Sequence, residues 1–550
     1  MKNVSVLLIV LFSATMGAQE QLTSEKWQED LRFLQRTVHE KYPFLFKKIT
    51  AKAFDEKVEE FYVAIPNMQA HEVVVGFSRI IASFKYGHTR MGYSKSPVPF
   101  HHIPIDFYEF KDGLFIKSAH KDHGTIVGAK IVAIEGVKIS KALQLVAPTV
   151  PLENEQFYKG YGLNHLTFPE VLHAQGVTDS LLDSFTLTLE KDGIQFDYSI
   201  PSTTKPDAPM KYGELITGTD WVDGRDRSFT PYYLKNFDKI YYFEFLPKEK
   251  IVYVRHSRIR NDENEKVEDF YNRVFKFIEV NDVEKFVIDV RLNGGGNNFL
   301  NKPIITGIIA NTKINQPGRF FVITGRRTFS AAQSLINELD NYTNVLFVGE
   351  PSSENINFYG DNKRVILPKS GLPVYLSFAW WQDKPQWENA DFIKPHYPVE
   401  FTYNDYVTNQ DPVLKTILDF YPTNFTMEPL VYLNQLFEEG KSKKAITAAQ
   451  RMAKDYAYSF IDFEREISNK AFILLGNDNE RALFFFELAT EVFPKSQNTW
   501  ANLGQAQWET GNFEGAKNSF EKVLNLSNDG SAADVKARRM LQKIEAKEKK

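Results

Sequence analysis

The chain has 550 residues, of which 66 are Lys or Arg and 70 are Asp or Glu, and its formal net charge is −4. This balance argues against a dedicated nucleic-acid binder, which would normally carry a basic stripe. No residue is Cys, which excludes a disulfide framework, a zinc knuckle and a cysteine nucleophile, so any nucleophile must be Ser, Thr, Lys or a carboxylate.

The N-terminus predicts a secretory signal peptide over residues 1–18. Lys2 supplies the positive charge, Val4 to Phe12 form a short apolar run, and mostly small residues follow as far as Ala18. The run is too short to span a bilayer; the alternative interpretation is a buried N-terminal strand. We expect a periplasmic or secreted bacterial protein with no stable membrane span once the signal peptide is cleaved.

The next segment changes from a helical pattern to a strand pattern. Trp27, Leu31 and Leu34 recur at helical spacing, which predicts an N-terminal helical domain over residues 22–95. Short apolar runs separated by Lys-Asp-Gly turns then predict a compact β-rich module over residues 96–205.

Residues 206–425 alternate strand and helix signals. The runs that start at Phe286 and Phe320 are continuously apolar, as in parallel strands that are buried on both faces. This alternation predicts an α/β core.

Residues 429–545 read as helical and contain an internal repeat. Ala482 and Phe486 recur as Ala516 and Phe520, at the spacing of tetratricopeptide (TPR) repeats. The sequence therefore predicts an all-α domain of TPR-like repeats, with an ordinary helical bundle as the alternative.

Two motifs carry candidate chemistry. Asn293-Gly-Gly-Gly296 follows a buried strand, and its backbone N–H groups could face an oxyanion, although most glycine runs are only turns. Ser330 lies where a strand gives way to a helix. That position can expose a nucleophilic hydroxyl, but Ser is also a preferred helix N-cap.

The motifs in combination resemble the C-terminal processing (tail-specific) serine peptidase family. The resemblance lies in Asp289-Val-Arg-Leu-Asn-Gly-Gly-Gly296, Phe329-Ser-Ala-Ala332 and Val348-Gly-Glu350. It implies an α/β, crotonase/ClpP-like catalytic core over residues 206–425 and a PDZ-like fold for the module over residues 96–205. It also implies Ser330 as the nucleophile, with the oxyanion held by the N–H groups of Gly295 or Gly296 and Ala331.

The residue that activates Ser330 depends on the branch of the family. The bacterial branch uses a Lys, but Asn355 stands at that place. The branch typified by the tricorn core uses a His and a downstream Glu, and Tyr86-Gly-His-Thr89 and Trp387-Glu-Asn389 resemble those two segments. The resemblance therefore implies His88 as the general base and Glu388 as the residue that orients it.

These inferences predict an exported serine-type endopeptidase that hydrolyses peptide bonds through a Ser-His(-Glu) acyl-enzyme mechanism, with no metal and no cofactor. Its substrate would be a protein or peptide, and its TPR-like repeats would bind a protein partner. Two alternatives stay open: a non-catalytic peptide-binding scaffold of the same fold, and an esterase or amidase.

Overall fold

The computed structural model describes residues 22–204, 208–216, 218–421 and 425–548. The predicted signal peptide at residues 1–18 therefore lies outside the described residues. Among the helices that are described, none is long and apolar enough to cross a membrane. The described chain is a mixed α/β structure followed by a helical C-terminal region, as predicted.

The N-terminal segment is helical because its apolar residues fall on one face of each helix and because its helices are well capped. Thr23 and Thr50 accept hydrogen bonds from backbone N–H groups of the first turns, and Gln69 with Glu72 forms a reciprocal capping box. The helices are α1 (Ser24–Lys41), α2 (Ala51–Ala64) and α3 (Ala70–Ala82).

The next segment is built around a seven-stranded antiparallel sheet. The order of its main path is β10-β3-β4-β6-β7, with β2 paired to β3 and β5 paired to β4. Its apolar face shares one core with the N-terminal helices. In chain order the elements are β1 (Arg90–Met91), β2 (Ile105–Phe110), β3 (Gly113–His120), β4 (Lys130–Ile134), β5 (Val137–Lys138), α4 (Ile139–Val146), α5 (Glu155–Phe157), α6 (Pro169–Ala174), β6 (Ser184–Lys191), β7 (Ile194–Pro201), β8 (Met210–Lys211), β9 (Glu214–Leu215) and β10 (Trp221–Asp223).

The α/β core contains a six-stranded sheet in the order β11-β12-β13-β14-β15-β18. Only the β11–β12 pair is antiparallel; the others are parallel. The elements are β11 (Tyr241–Leu246), β12 (Ile251–His256), α7 (Val267–Val280), β13 (Lys285–Asp289), α8 (Lys302–Ala310), β14 (Phe320–Thr324), α9 (Ala331–Tyr342), β15 (Val345–Gly349), β16 (Phe358–Ile366), β17 (Pro373–Trp381), β18 (Tyr397–Pro398), α10 (Tyr403–Val407) and α11 (Pro412–Leu418).

A small second sheet links the N-terminal segment to this core. β1 pairs with β17, with Arg90 opposite Tyr375, and β17 pairs with β16. Because β1 begins two residues after His88, this pairing carries the His88 loop to the core.

The parallel strands are apolar throughout because both faces of the sheet are covered. Phe320 and Val322 of β14 point into one core with α7, α8 and α9, while Phe321 and Ile323 point into another that includes α11. This alternation is the reason why a period-two pattern is absent from the sequence of these strands.

The second of these cores continues into the C-terminal helices. Tyr397 of β18 donates a hydrogen bond to the carbonyl of Ala457, and its ring contacts Phe460. The repeats are therefore packed against the α/β core and are not a separate appendage. Their helices are α12 (Pro429–Glu438), α13 (Ser442–Met452), α14 (Phe463–Leu474), α15 (Asn479–Val492), α16 (Gln497–Glu509), α17 (Phe513–Leu526) and α18 (Ala532–Glu548).

Candidate active site

Ser330 lies on the tight turn between β14 and α9. Its backbone is held at φ 57° and ψ −127°, a conformation that costs a non-glycine residue about 1–3 kcal/mol. It occupies the N-cap position of α9, yet its side chain makes no capping hydrogen bond. A helix-capping role therefore does not explain why a hydroxyl side chain is present at this position. A strained turn of this kind is typical of a nucleophile position.

The glycine loop lies directly against this turn. A Cβ atom on Gly295 would come within 2.5 Å of the Ser330 Cβ and 2.9 Å of the Ala331 nitrogen, so only glycine allows the approach. The Gly295 N–H donates to Asn293 Oδ1 at 2.9 Å. Gly295 and Ala331 are thus both beside Ser330, but the Gly295 N–H is engaged in this state.

Gly296 faces a different neighbour. A Cβ atom there would come within 2.0 Å of the Ile259 carbonyl oxygen, and Ile259 N–H donates to the Gly295 carbonyl at 3.0 Å. The loop runs beside the segment that follows β12, as a short parallel bridge. Its packing against Ile259 leaves Ala331 and Gly295 as the predicted oxyanion donors nearest to Ser330.

His88 lies partly buried between aromatic rings, with its side chain 15% exposed. It stacks on Phe329 with ring centroids 4.7 Å apart and on Phe358 at 6.2 Å. Burial lowers the pKa of His88 to about 4, and the positive charge of Arg90 contributes in the same direction. The ring is therefore neutral at neutral pH, which is the form that can accept a proton.

One carboxylate oxygen lies close to both predicted catalytic residues. Glu354 Oε2 accepts a hydrogen bond from the Ser330 N–H at 2.7 Å and lies 3.5 Å from His88 Nε2. Glu354 is fully buried. The structure thus brings Ser330 and His88 to the same carboxylate oxygen, although their sequence positions are far apart.

A second buried carboxyl group, Glu153, completes the cluster. Its Oε2 accepts from the N–H of Gly87 at 2.6 Å, and Lys48 Nζ lies 3.6 Å from its Oε1. Burial raises the pKa of both Glu153 and Glu354, and repulsion between the two carboxylates raises that of Glu153 further. Such a pair favours holding one proton between its members at neutral pH.

Lys48 also bonds to Asn355. Its ammonium group donates to Asn355 Oδ1 and to the Lys85 carbonyl at 2.9 Å. The position where the bacterial branch has a Lys is thus contacted by a Lys from the N-terminal helical region. The positive charge of Lys48 offsets part of the negative charge of the Glu153–Glu354 pair.

Glu388 makes no hydrogen bond or ion pair with His88 within the described residues, so its role in orienting the imidazole stays a prediction from the sequence. Its side chain is 46% exposed, and its carboxylate lies 3.2 Å from the ammonium of Lys384. Lys384 also bonds to Asp340 of α9, and this network holds Glu388 at the surface. Glu354 takes the place beside the imidazole. It stands next to Asn355, in the stretch where the bacterial branch of the family has its lysine.

The charged residues of the Asp289–Gly296 motif stabilise the loop that carries the glycines. Arg291 donates to both carboxylate oxygens of Asp411, at 3.1 and 3.0 Å, and to Asp289 at 3.0 Å. Asp411 in turn caps α11 through Leu414 N–H. These residues fix the loop that carries the glycines and do not contact Ser330. Throughout the described residues, no group of three or more potential ligands is placed to hold a metal ion.

The chain is thus an α/β protein with a serine on a strained strand-to-helix turn and a neutral histidine nearby. Two solved structures of this fold align over most of it. "Mature CPAF" is 11% identical, covering 72% of this chain and 96% of its own with a TM-score of 0.50. The "cpaf s499a mutant" is also 11% identical, covering 74% and 100% with a TM-score of 0.51.

Other comparisons concern a more distant structure and the repeats. A photosystem II D1 C-terminal processing protease aligns with 13% identity over 68% of this chain and 93% of its own, with a TM-score of 0.33. The tetratricopeptide repeat family matches residues 498–529. No curated protein matches the chain significantly. The chain thus shares the fold of the CPAF structures over most of its length, and the predicted tetratricopeptide repeat is confirmed at residues 498–529.

Proposed function

We propose that this protein is an exported serine peptidase that cleaves peptide bonds through an acyl-enzyme on Ser330. The observation that carries the proposal is the shared contact with Glu354, which brings an uncapped serine on a strained turn and a neutral histidine into one buried cluster. A structural role alone would not require the strain at Ser330.

The chemistry follows from these positions. Ser330 Oγ attacks the substrate carbonyl carbon while His88 accepts the hydroxyl proton and later returns it to the leaving amine. The Ala331 N–H, at the positive end of the α9 dipole, stabilises the oxyanion. Gly295 adds a second donor when its N–H leaves Asn293.

The remaining parts of the chain have supporting roles in this proposal. The α/β core is of the crotonase/ClpP-like kind, and the antiparallel module is PDZ-like and presents a substrate strand to the core. The signal peptide at residues 1–18 directs the chain to the periplasm or the exterior. The TPR helices bind a protein partner or recruit substrate.

The test is covalent labelling of the full-length protein with a fluorophosphonate probe. We expect labelling in the wild type and in Ser180→Ala, an exposed serine outside the site, but none in Ser330→Ala or His88→Ala. Because the pKa of His88 is lowered to about 4, the labelling rate should hold from pH 7 to about 5 and fall only as the imidazole gains a proton below that.

Absence of labelling in folded wild-type protein would favour the non-catalytic scaffold. Turnover of p-nitrophenyl esters without cleavage of casein would favour the esterase alternative.

A further inference from the structure

A cleft of about 660 Å³ opens beside His88, and neither Glu153 nor Glu354 is among its lining residues. His88, Gly294 and Phe329 line one wall, so the cleft borders both the base and the turn that carries Ser330. Its other walls come from the β module and from the segment after β12. This is the position in which the part of a substrate next to the scissile bond would lie.

The charged residues that line this cleft are all positively charged. Arg90, Arg258 and Arg327 line it, and none of the described lining residues is Asp or Glu. Three arginines beside an opening of this size create a positive potential, which concentrates anionic groups there.

These three arginines differ from the paired arginines of the same region. Arg326, next in sequence to Arg327, forms an ion pair with Glu350. Arg327 instead donates to the Gly160 carbonyl at 3.0 Å and lies over the Tyr161 ring at 4.7 Å. Within the described residues, Arg327 makes no direct ion pair with a carboxylate, and its positive charge acts on the buried carboxyl of Asp106 only from a distance.

The other two arginines are exposed at the rim. Arg90 lies 5.9 Å from the Tyr375 ring, and Arg258 precedes Ile259, whose N–H is bonded to the glycine loop. Neither forms an ion pair within the part of the chain that the structure describes. Because Ile259 is bonded to the glycine loop and Arg258 lines the cleft, Arg258 brings a positive charge to the part of the cleft next to that loop.

We propose that this cleft selects peptide segments that carry carboxylate groups next to the scissile bond. A carboxylate entering the cleft would exchange water for charge-assisted hydrogen bonds from guanidinium groups, whose planar fork matches both carboxylate oxygens. The carboxylate can come from Asp or Glu side chains or from a free C-terminus. The inference rests on the proposed function, because it treats the cleft as the substrate site of Ser330.

The test measures binding without catalysis. Rhodamine-labelled peptides of equal length bind to full-length Ser330→Ala protein, and fluorescence anisotropy gives the Kd. One peptide carries Glu and Asp, the second the isosteric Gln and Asn, and the third Lys, each with a free or an amidated C-terminus. At about 50 mM salt we expect the acidic peptide to bind about tenfold tighter than the amide peptide, and this ratio to shrink at about 500 mM.

Charge reversal at the rim tests the assignment to this cleft. Arg258→Glu in the Ser330→Ala background should abolish the preference for the acidic peptide and strengthen binding of the Lys peptide. Arg36→Glu, on the exposed face of α1 and outside the cleft, makes the same change of charge and should leave the ratio as it is.

The outcomes separate the two carboxylate sources and the two proposals. A preference that survives C-terminal amidation assigns the carboxylate to side chains, and one that amidation removes assigns it to the C-terminus. Equal affinities for all peptides would overturn the inference while leaving the labelling of Ser330 untouched. Selective binding together with no labelling of the wild type would retain the carboxylate-binding cleft and reject the peptidase.

Discussion

At the scale of single residues, Glu354 is the group through which Ser330 and His88 are held together. It receives the Ser330 N–H, lies beside the imidazole and faces Glu153 in the interior. An isosteric amide at this position keeps the size but loses the ability to share a proton or to carry a charge. Glu354 therefore supports the proposed reaction by holding the predicted nucleophile and the predicted base in position.

Glu354→Gln and Glu388→Gln form a matched pair that tests which glutamate supports the site. We expect Glu354→Gln to slow fluorophosphonate labelling about 10- to 100-fold, since it removes the acidic group between nucleophile and base. Glu388→Gln should label at the wild-type rate because its carboxylate is at the surface with Lys384. The opposite order of effects would restore Glu388 to the role predicted from the sequence.

At the scale of elements, the loop before β1 shows how packing selects a residue. A Cβ atom on Gly87 would lie 2.4 Å from the Phe157 ring and 2.9 Å from the Phe329 ring. Phe157, Tyr161 and Phe329 form a small aromatic cluster next to His88. A serine at Gly87 would displace these rings.

Gly87→Ser should therefore lower the free energy of unfolding by about 1–3 kcal/mol, as overpacking of a buried site does. Gly92→Ser is the control, because no atom lies within 4 Å of its Cβ position and exposed substitutions change stability by less than about 0.5 kcal/mol. Chemical denaturation of the three proteins measures the difference. Equal stability of both variants would mean that the aromatic rings can shift at little cost in free energy.

The sequence predicts those parts of the site that depend on local pattern. Ser330 and the glycine loop each follow a buried strand, and parallel strands bring their carboxyl ends to one edge, so their proximity was predictable. Glu153 and Lys48 were not, because each stands in a segment with no local motif. Their contacts depend on how the β module and the N-terminal helices pack against the core.

At the scale of the whole molecule, the C-terminal helices complete the core of the sheet. One apolar cluster runs from Val287 and Phe321 through Ile417 and Phe420 to Leu433 and beyond. The last two helices have a smaller cluster of their own, which includes Phe520 and Met540. The repeat pattern was predictable from the sequence, but its packing on the core was not, since a repeat shows only its internal spacing.

Two truncations test this arrangement. A chain that ends at residue 421 loses α12–α18 and exposes the apolar side of α11, so we expect aggregation or a clearly lower Tm. A chain that ends at residue 511 keeps the large cluster and should remain soluble and label at Ser330 within about twofold of wild type. A soluble, fully reactive protein ending at residue 421 would contradict the shared core.

The spread of the site along the chain also sets when it can become reactive. His88 and Glu153 are synthesised well before Ser330 and Glu354, and the four residues lie together only in the folded chain, in which β1 pairs with β17. A nascent or prematurely ended chain that stops before residue 330 therefore contains the predicted base without the predicted nucleophile. Under the proposed function, such partial chains are inert.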